Sequence, residues 1–111
     1  VPRERLPDRR PSVTITLDWN GHTFAITAGY APNGRVREVF ASGLRGGSDM
    51  QRLVEDACVV ISVALQFGAR PGDLRRSLGT VPDPRDENAV FPASVLGVIL
   101  AAVERLDADP W

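Results

Sequence analysis

The sequence predicts an α+β domain: a three-stranded antiparallel β-meander packed on one face by a long central helix, with two further helices. Three observations carry that prediction. Residues Ser12–Trp19 alternate strictly, with Val13, Ile15, Leu17 and Trp19 to one side and Thr14, Thr16 and Asp18 to the other, as in a half-buried strand. Asn20-Gly21 follows at once and supplies the two positive-φ positions of a tight hairpin. Met50, Leu53, Val54, Ala57, Ile61, Ala64 and Leu65 then recur at three- and four-residue spacing, which gathers them on one side of a helix.

In chain order, residues 1–11 form an extended Arg- and Pro-rich arm. Pro2, Pro7 and Pro11 block regular structure, and Arg3, Arg5, Arg9 and Arg10 outnumber Glu4 and Asp8. A single domain spans residues 12–106, and residues 107–111 are a tail. Its second strand is His22–Tyr30, with Phe24, Ile26, Ala28 and Tyr30 on one face. Pro32-Asn33-Gly34 turns the chain into a third strand at 35–41, with Val36 and Phe40 on one face and Val39 on the other. The central helix has Ser48 as N-cap with Gln51 three residues on, and Gly68 as its left-handed stop. As the longest helix it is the expected cover of the sheet. Val59, Val60 and Val63 widen its apolar face, so cover on more than one side is expected. A short helix follows at 71–78, then a loop at 81–88 marked by Pro82, Pro84 and acids. A third helix opens with Pro92 in its first turn and carries Val95, Leu96, Ile99, Leu100, Val103 and Leu106.

The 111 residues suit one domain with one core. A net charge of -1 argues against a nucleic-acid polyelectrolyte. All 13 basic residues are Arg, which a genomic composition bias explains more simply than Arg-selective contacts. One Cys and one His, Cys58 and His22, cannot build a disulfide or a zinc site, and a reducing, cytoplasmic setting is expected. No apolar run is long enough to span a membrane. The start has no signal-peptide core and no Met, and reads as a trimmed chain or a fragment.

Three stretches resemble the TSCPD domain: residues 34–40 (Gly-Arg-Val-Arg-Glu-Val-Phe), Gly47-Ser48-Asp49, and residues 62–68 (Ser-Val-Ala-Leu-Gln-Phe-Gly). Arg5-Leu6-Pro7-Asp8-Arg9-Arg10 is similar to the lead-in of its short versions. That domain occurs near the C-terminus of adenosylcobalamin-dependent (class II) ribonucleotide reductases and as small stand-alone bacterial and prophage proteins. The chain departs from the pattern after Thr80, reading Val81-Pro82-Asp83-Pro84 in place of an Arg-Phe-x-Pro segment. It also lacks the barrel, the radical site and the redox cysteines of the full enzymes. The resemblance implies an accessory module and carries over no catalytic residue, cofactor or metal.

Candidate sites follow from residue type. Arg45, Gly46, Gly47 and Ser48 open a helix, where free N–H groups and an Arg can cradle an anion; a plain loop with a capped helix is the simpler expectation. Arg5, Arg9, Arg10, Arg35 and Arg37 form a candidate partner-binding face, with a solvated Arg surface as its alternative. Glu38 interrupts an apolar strand, as a buried acid or, more simply, as the partner of an Arg, such as Arg35 or Arg37 of another chain, or facing water on the open side of the sheet. Ser62 and Gln66 lie one turn apart, as a recognition patch or, more simply, for close packing and backbone bonding. Cys58 and His22 have no third member for nucleophilic chemistry. Trp19, Phe40, Trp111, a sheet edge, or the small Gly97, Ala101 and Ala102 offer surface for a homodimer.

The expected function is therefore a non-catalytic accessory or regulatory module. It acts through protein–protein contacts, self-association among them, and needs no cofactor. The alternative is a nucleotide or nucleic-acid binding regulator using the Gly-rich turn and the Arg arm.

Overall fold

A computed structural model describes residues 1–44 and 48–108. Strands β1 (Ser12–Trp19), β2 (His22–Tyr30) and β3 (Val36–Ser42) form an antiparallel sheet in the order β1-β2-β3. Trp19 pairs with His22 across Asn20-Gly21, whose φ angles are 49° and 79°, so the turn is the expected one. Helix α1 (Ser48–Gln66) ends where Gly68 takes a φ of 100°. There the N–H groups of Gly68 and Ala69 return to Leu65 O and Ala64 O at 3.0 Å each. Helix α2 (Pro71–Arg76), strands β4 (Thr80–Asp83) and β5 (Asp86–Pro92), and helix α3 (Val95–Ala108) complete the fold.

The apolar face of the sheet meets helices, as predicted, yet α1 does not cover it alone. α1 lies against β3, and α3 crosses to touch all three strands. The core joins Phe24, Ile26, Ala28 and Tyr30 of β2 to Val54, Cys58, Ile61 and Leu65 of α1 and to Val95, Ile99, Leu100, Ala102 and Val103 of α3.

Three local expectations are corrected. In β3, Val36 and Val39 are both fully buried and Phe40 is exposed. The cause is a bulge: Gly29 pairs with Glu38 but Tyr30 pairs with Val36, so Arg37 is an extra residue and the inward face shifts by one. Residues 81–88 are not a loop but most of a hairpin, in which Val81 pairs with Phe91 and Pro82 with Val90. Both strands are edges, which is where a Pro without an N–H is tolerated. Pro92 ends β5 and does not enter α3; Ser94 precedes the helix, its Oγ accepting Gly97 N–H at 3.4 Å.

Candidate functional site

The bulge in β3 turns Glu38 onto the open side of the sheet, directly over Gly29. A Cβ on Gly29 would fall 2.6 Å from Glu38 Cγ, so only glycine leaves room for that carboxylate. Glu38 receives Arg10 through two bonds, Nε to Oε1 and Nη2 to Oε2, the latter 2.9 Å. The arm is held at further points. Arg37 Nε donates to Glu4 Oε1 at 3.2 Å, Glu4 N–H to Gln66 O at 2.7 Å, and Tyr30 N–H to Pro11 O at 2.9 Å. Arg35 clamps a different corner: Nε and Nη2 reach Asp107 at 2.9 and 2.5 Å, and Asp107 Oδ1 also accepts Val36 N–H at 2.9 Å.

Of the five arginines of the candidate partner-binding face, three are therefore engaged within the chain. Arg10, Arg35 and Arg37 hold carboxylates of their own chain. Arg5 and Arg9 are exposed and carry no ion pair among the described residues. Arg5 and Arg10 share a depression with Arg3, but Glu4 and Glu38 line it too. Arg45, Gly46 and Gly47 lie outside the described residues, and of Ser48 only its place at the start of α1 is described. Trp111 also lies outside them.

Helix α1 turns three polar groups to the free edge of β3. Gln66 Nε2 donates to Arg37 O at 3.1 Å. Ser62 Oγ accepts Val39 N–H at 3.0 Å and lies 3.2 Å from Val39 O and 2.7 Å from Cys58 O. The Ala41 N–H lies against the Cys58 sulfur, while burial pushes that thiol up to about 11. Ser62 and Gln66 thus bond strand backbone, close to the simpler of their two predicted roles. Cys58 is 2% exposed, and exposed His22 stands at the hairpin end of β2, roughly 20 Å along the strand from Gly29. Among the described residues no three metal-ligating side chains gather. No described helix is long and apolar enough to cross a membrane.

The opposite side of α1 is apolar and open. Leu53, Val60 and Phe67 are 62%, 68% and 49% exposed. Beside them lies a groove of about 350 Å³, with Ala57, Val60 and Ala64 on one wall and Leu74, Leu78 and Leu96 on the other. The small residues of α3 are not free in the same way. Gly97 is filled by Pro92, whose Cβ would lie 2.6 Å from an added methyl, and Ala102 is buried in the core.

A vitamin B12-dependent ribonucleotide reductase of Rhodopirellula baltica is 35% identical over 66 residues, 60% of this chain and 6% of the reductase. The chain is related to vitamin B12-dependent ribonucleotide reductases. Those of Bradyrhizobium diazoefficiens and Streptomyces coelicolor are 29% and 32% identical over 66 residues, again 60% of this chain, and 5% and 7% of theirs. The chain thus spans only a small fraction of the reductases it matches. No family profile and no solved structure matches it.

Residue reasoning missed the groove, because its walls come from three helices. The available signals were Leu74 and Leu78, four apart on a short helix, and the second apolar side of α1.

Proposed function

We infer that this chain is a non-catalytic accessory or regulatory module of the TSCPD kind, working through protein contacts in the setting of ribonucleotide reduction in the cytoplasm. The observation that carries the reading is the division of labour on α1. Its polar side, Cys58, Ser62 and Gln66, is taken up by the backbone of β3. Its apolar side stands open beside a leucine-walled groove. An exposed apolar strip of this kind is a mark of protein docking. The relation to a small part of vitamin B12-dependent reductases supports the setting.

The test is titration of the full chain into a purified vitamin B12-dependent reductase, reading binding by interferometry and turnover in parallel. Saturable binding together with altered turnover is expected. Neither binding nor a change in turnover at about 100 µM would remove the reading.

A further inference from the structure

The exposed side of α1 has an internal order. Leu53, Ala57, Val60, Ala64 and Phe67 follow at steps of four, three, four and three residues. That spacing keeps a seam on one side of a helix over four turns and suits a second helix lying alongside. Phe67 belongs to the seam although α1 is bounded at Gln66, because its N–H still donates to Val63 O at 3.1 Å. In size the seam runs large, small, medium, small, large, and so reads alike from either end. An antiparallel pair about a two-fold axis requires that symmetry, since each position must fit its own image or its mirror-placed mate.

We propose that α1 is the interface of a homodimer, packing antiparallel on α1 of a second copy with Val60 at the two-fold axis. Leu53 then meets Phe67 of the second copy, Ala57 meets its Ala64, and Val60 meets its Val60. The two alanines let the helix axes approach closely. The groove receives the flank of the incoming helix against Leu74, Leu78 and Leu96. A seam of 15 residues is about 22 Å long. Even with the leucine wall, a seam of that length is smaller than the ~800 Å² per protomer of a standard interface, so a dimer no tighter than micromolar is expected. The proposal deepens the accessory-module reading by naming one docking face and its occupant.

Analytical ultracentrifugation of the full chain tests it, with Val60→Glu on the seam and Val59→Glu beside it. Both residues are exposed, 68% and 56%, so neither change burdens the core. The wild-type chain is expected to dimerise reversibly. Val60→Glu is expected to weaken the dimer by at least about 30-fold, and Val59→Glu by no more than about threefold. Val60→Cys should cross-link to a covalent dimer on mild oxidation, whereas Val59→Cys should not, and buried Cys58 stays out of the reaction. That cross-link decides the question if Val60→Glu loses its native circular dichroism. A monomer at every concentration, equal effects of the two Glu variants, or no cross-link through position 60 overturns the proposal. A monomer that still binds the reductase refutes the dimer alone. A dimer indifferent to the reductase refutes the functional reading alone.

Discussion

Replacing Ser62 by Ala separates two opposite expectations. If α1 were only an amphipathic helix, Ser62→Ala would raise stability by up to about 0.5 kcal/mol, since Ala is the better helix former. The structure reverses the sign. Ser62 is 7% exposed, and its Oγ is the acceptor for Val39 N–H at the free edge of β3. The hydroxyl has one proton, and Cys58 O at 2.7 Å is nearer to it than Val39 O at 3.2 Å. The acceptor role toward Val39 N–H is therefore the one that α1 cannot replace. Removing it leaves a buried donor unpaired, which costs about 1–3 kcal/mol. After the propensity gain, a net loss of about 0.5–2.5 kcal/mol remains. For a domain of this size that lowers the melting temperature by about 2–15 °C. Urea unfolding followed by circular dichroism gives the free energy, and hydrogen exchange at the Val39 amide gives its location. A neutral or stabilising Ser62→Ala, or unchanged protection at Val39, would refute the edge-capping argument.

Two further predictions follow from the same packing. Gly29→Ala places a methyl where the Glu38 side chain lies, so the Arg10 pair breaks and the arm lifts; a loss of about 1–3 kcal/mol and faster trypsin cleavage after Arg9 are expected, with an unchanged cleavage rate counting against the docked arm. For Cys58 the folded thiol titrates at about 11 against an ordinary 9.0, so above 9 the unfolded chain releases its proton first; stability should fall between about pH 9 and 11, and a Cys58→Ala variant that loses just as much there would exclude this thiol as the cause.

The meander and α1 were legible because each has one buried side and one solvated side, so the period of the sequence reports the element directly. β1 and β2 show this throughout, and Asn20-Gly21 sets their register locally. The bulge at Arg37 was not legible, because an extra residue in a strand changes no residue type; it is visible only when Tyr30 is seen to pair with Val36. The β4–β5 hairpin escaped for a different reason. Both strands are largely solvent-exposed, so no alternation marks them, and Pro82, Pro84 and Pro92 imitate a loop. At the candidate sites, residue type offered an Arg partner for Glu38 and a backbone bond for Gln66 as one reading of each and placed Arg35 on a partner-binding face, but the partners Arg10, the Arg37 carbonyl and Asp107 lie 28 to 72 residues away. Those pairings are set by the tertiary fold and leave no mark in local sequence.

The way α1 closes the edge of β3 explains why its polar row stops at three residues. Alternate residues of a strand present their outward backbone groups every ~6.6 Å. Residues four apart on a helix rise by ~6.0 Å. Gln66, Ser62 and Cys58 therefore keep step with Arg37, Val39 and Ala41 only approximately, drifting by roughly half an ångström at each step. The shortest oxygen-bearing side chain, Ser62, sits in the middle, where the registers coincide. The flexible amide of Gln66 and the larger sulfur of Cys58 take up the difference at the two ends. A fourth member would fall on Val54, which is apolar and buried, and β3 itself ends at Ser42. A helix can thus seal a sheet edge for about three rungs before the repeats part. Because α1 is bound to that task on one side, its free side is the part of the helix left to meet another protein.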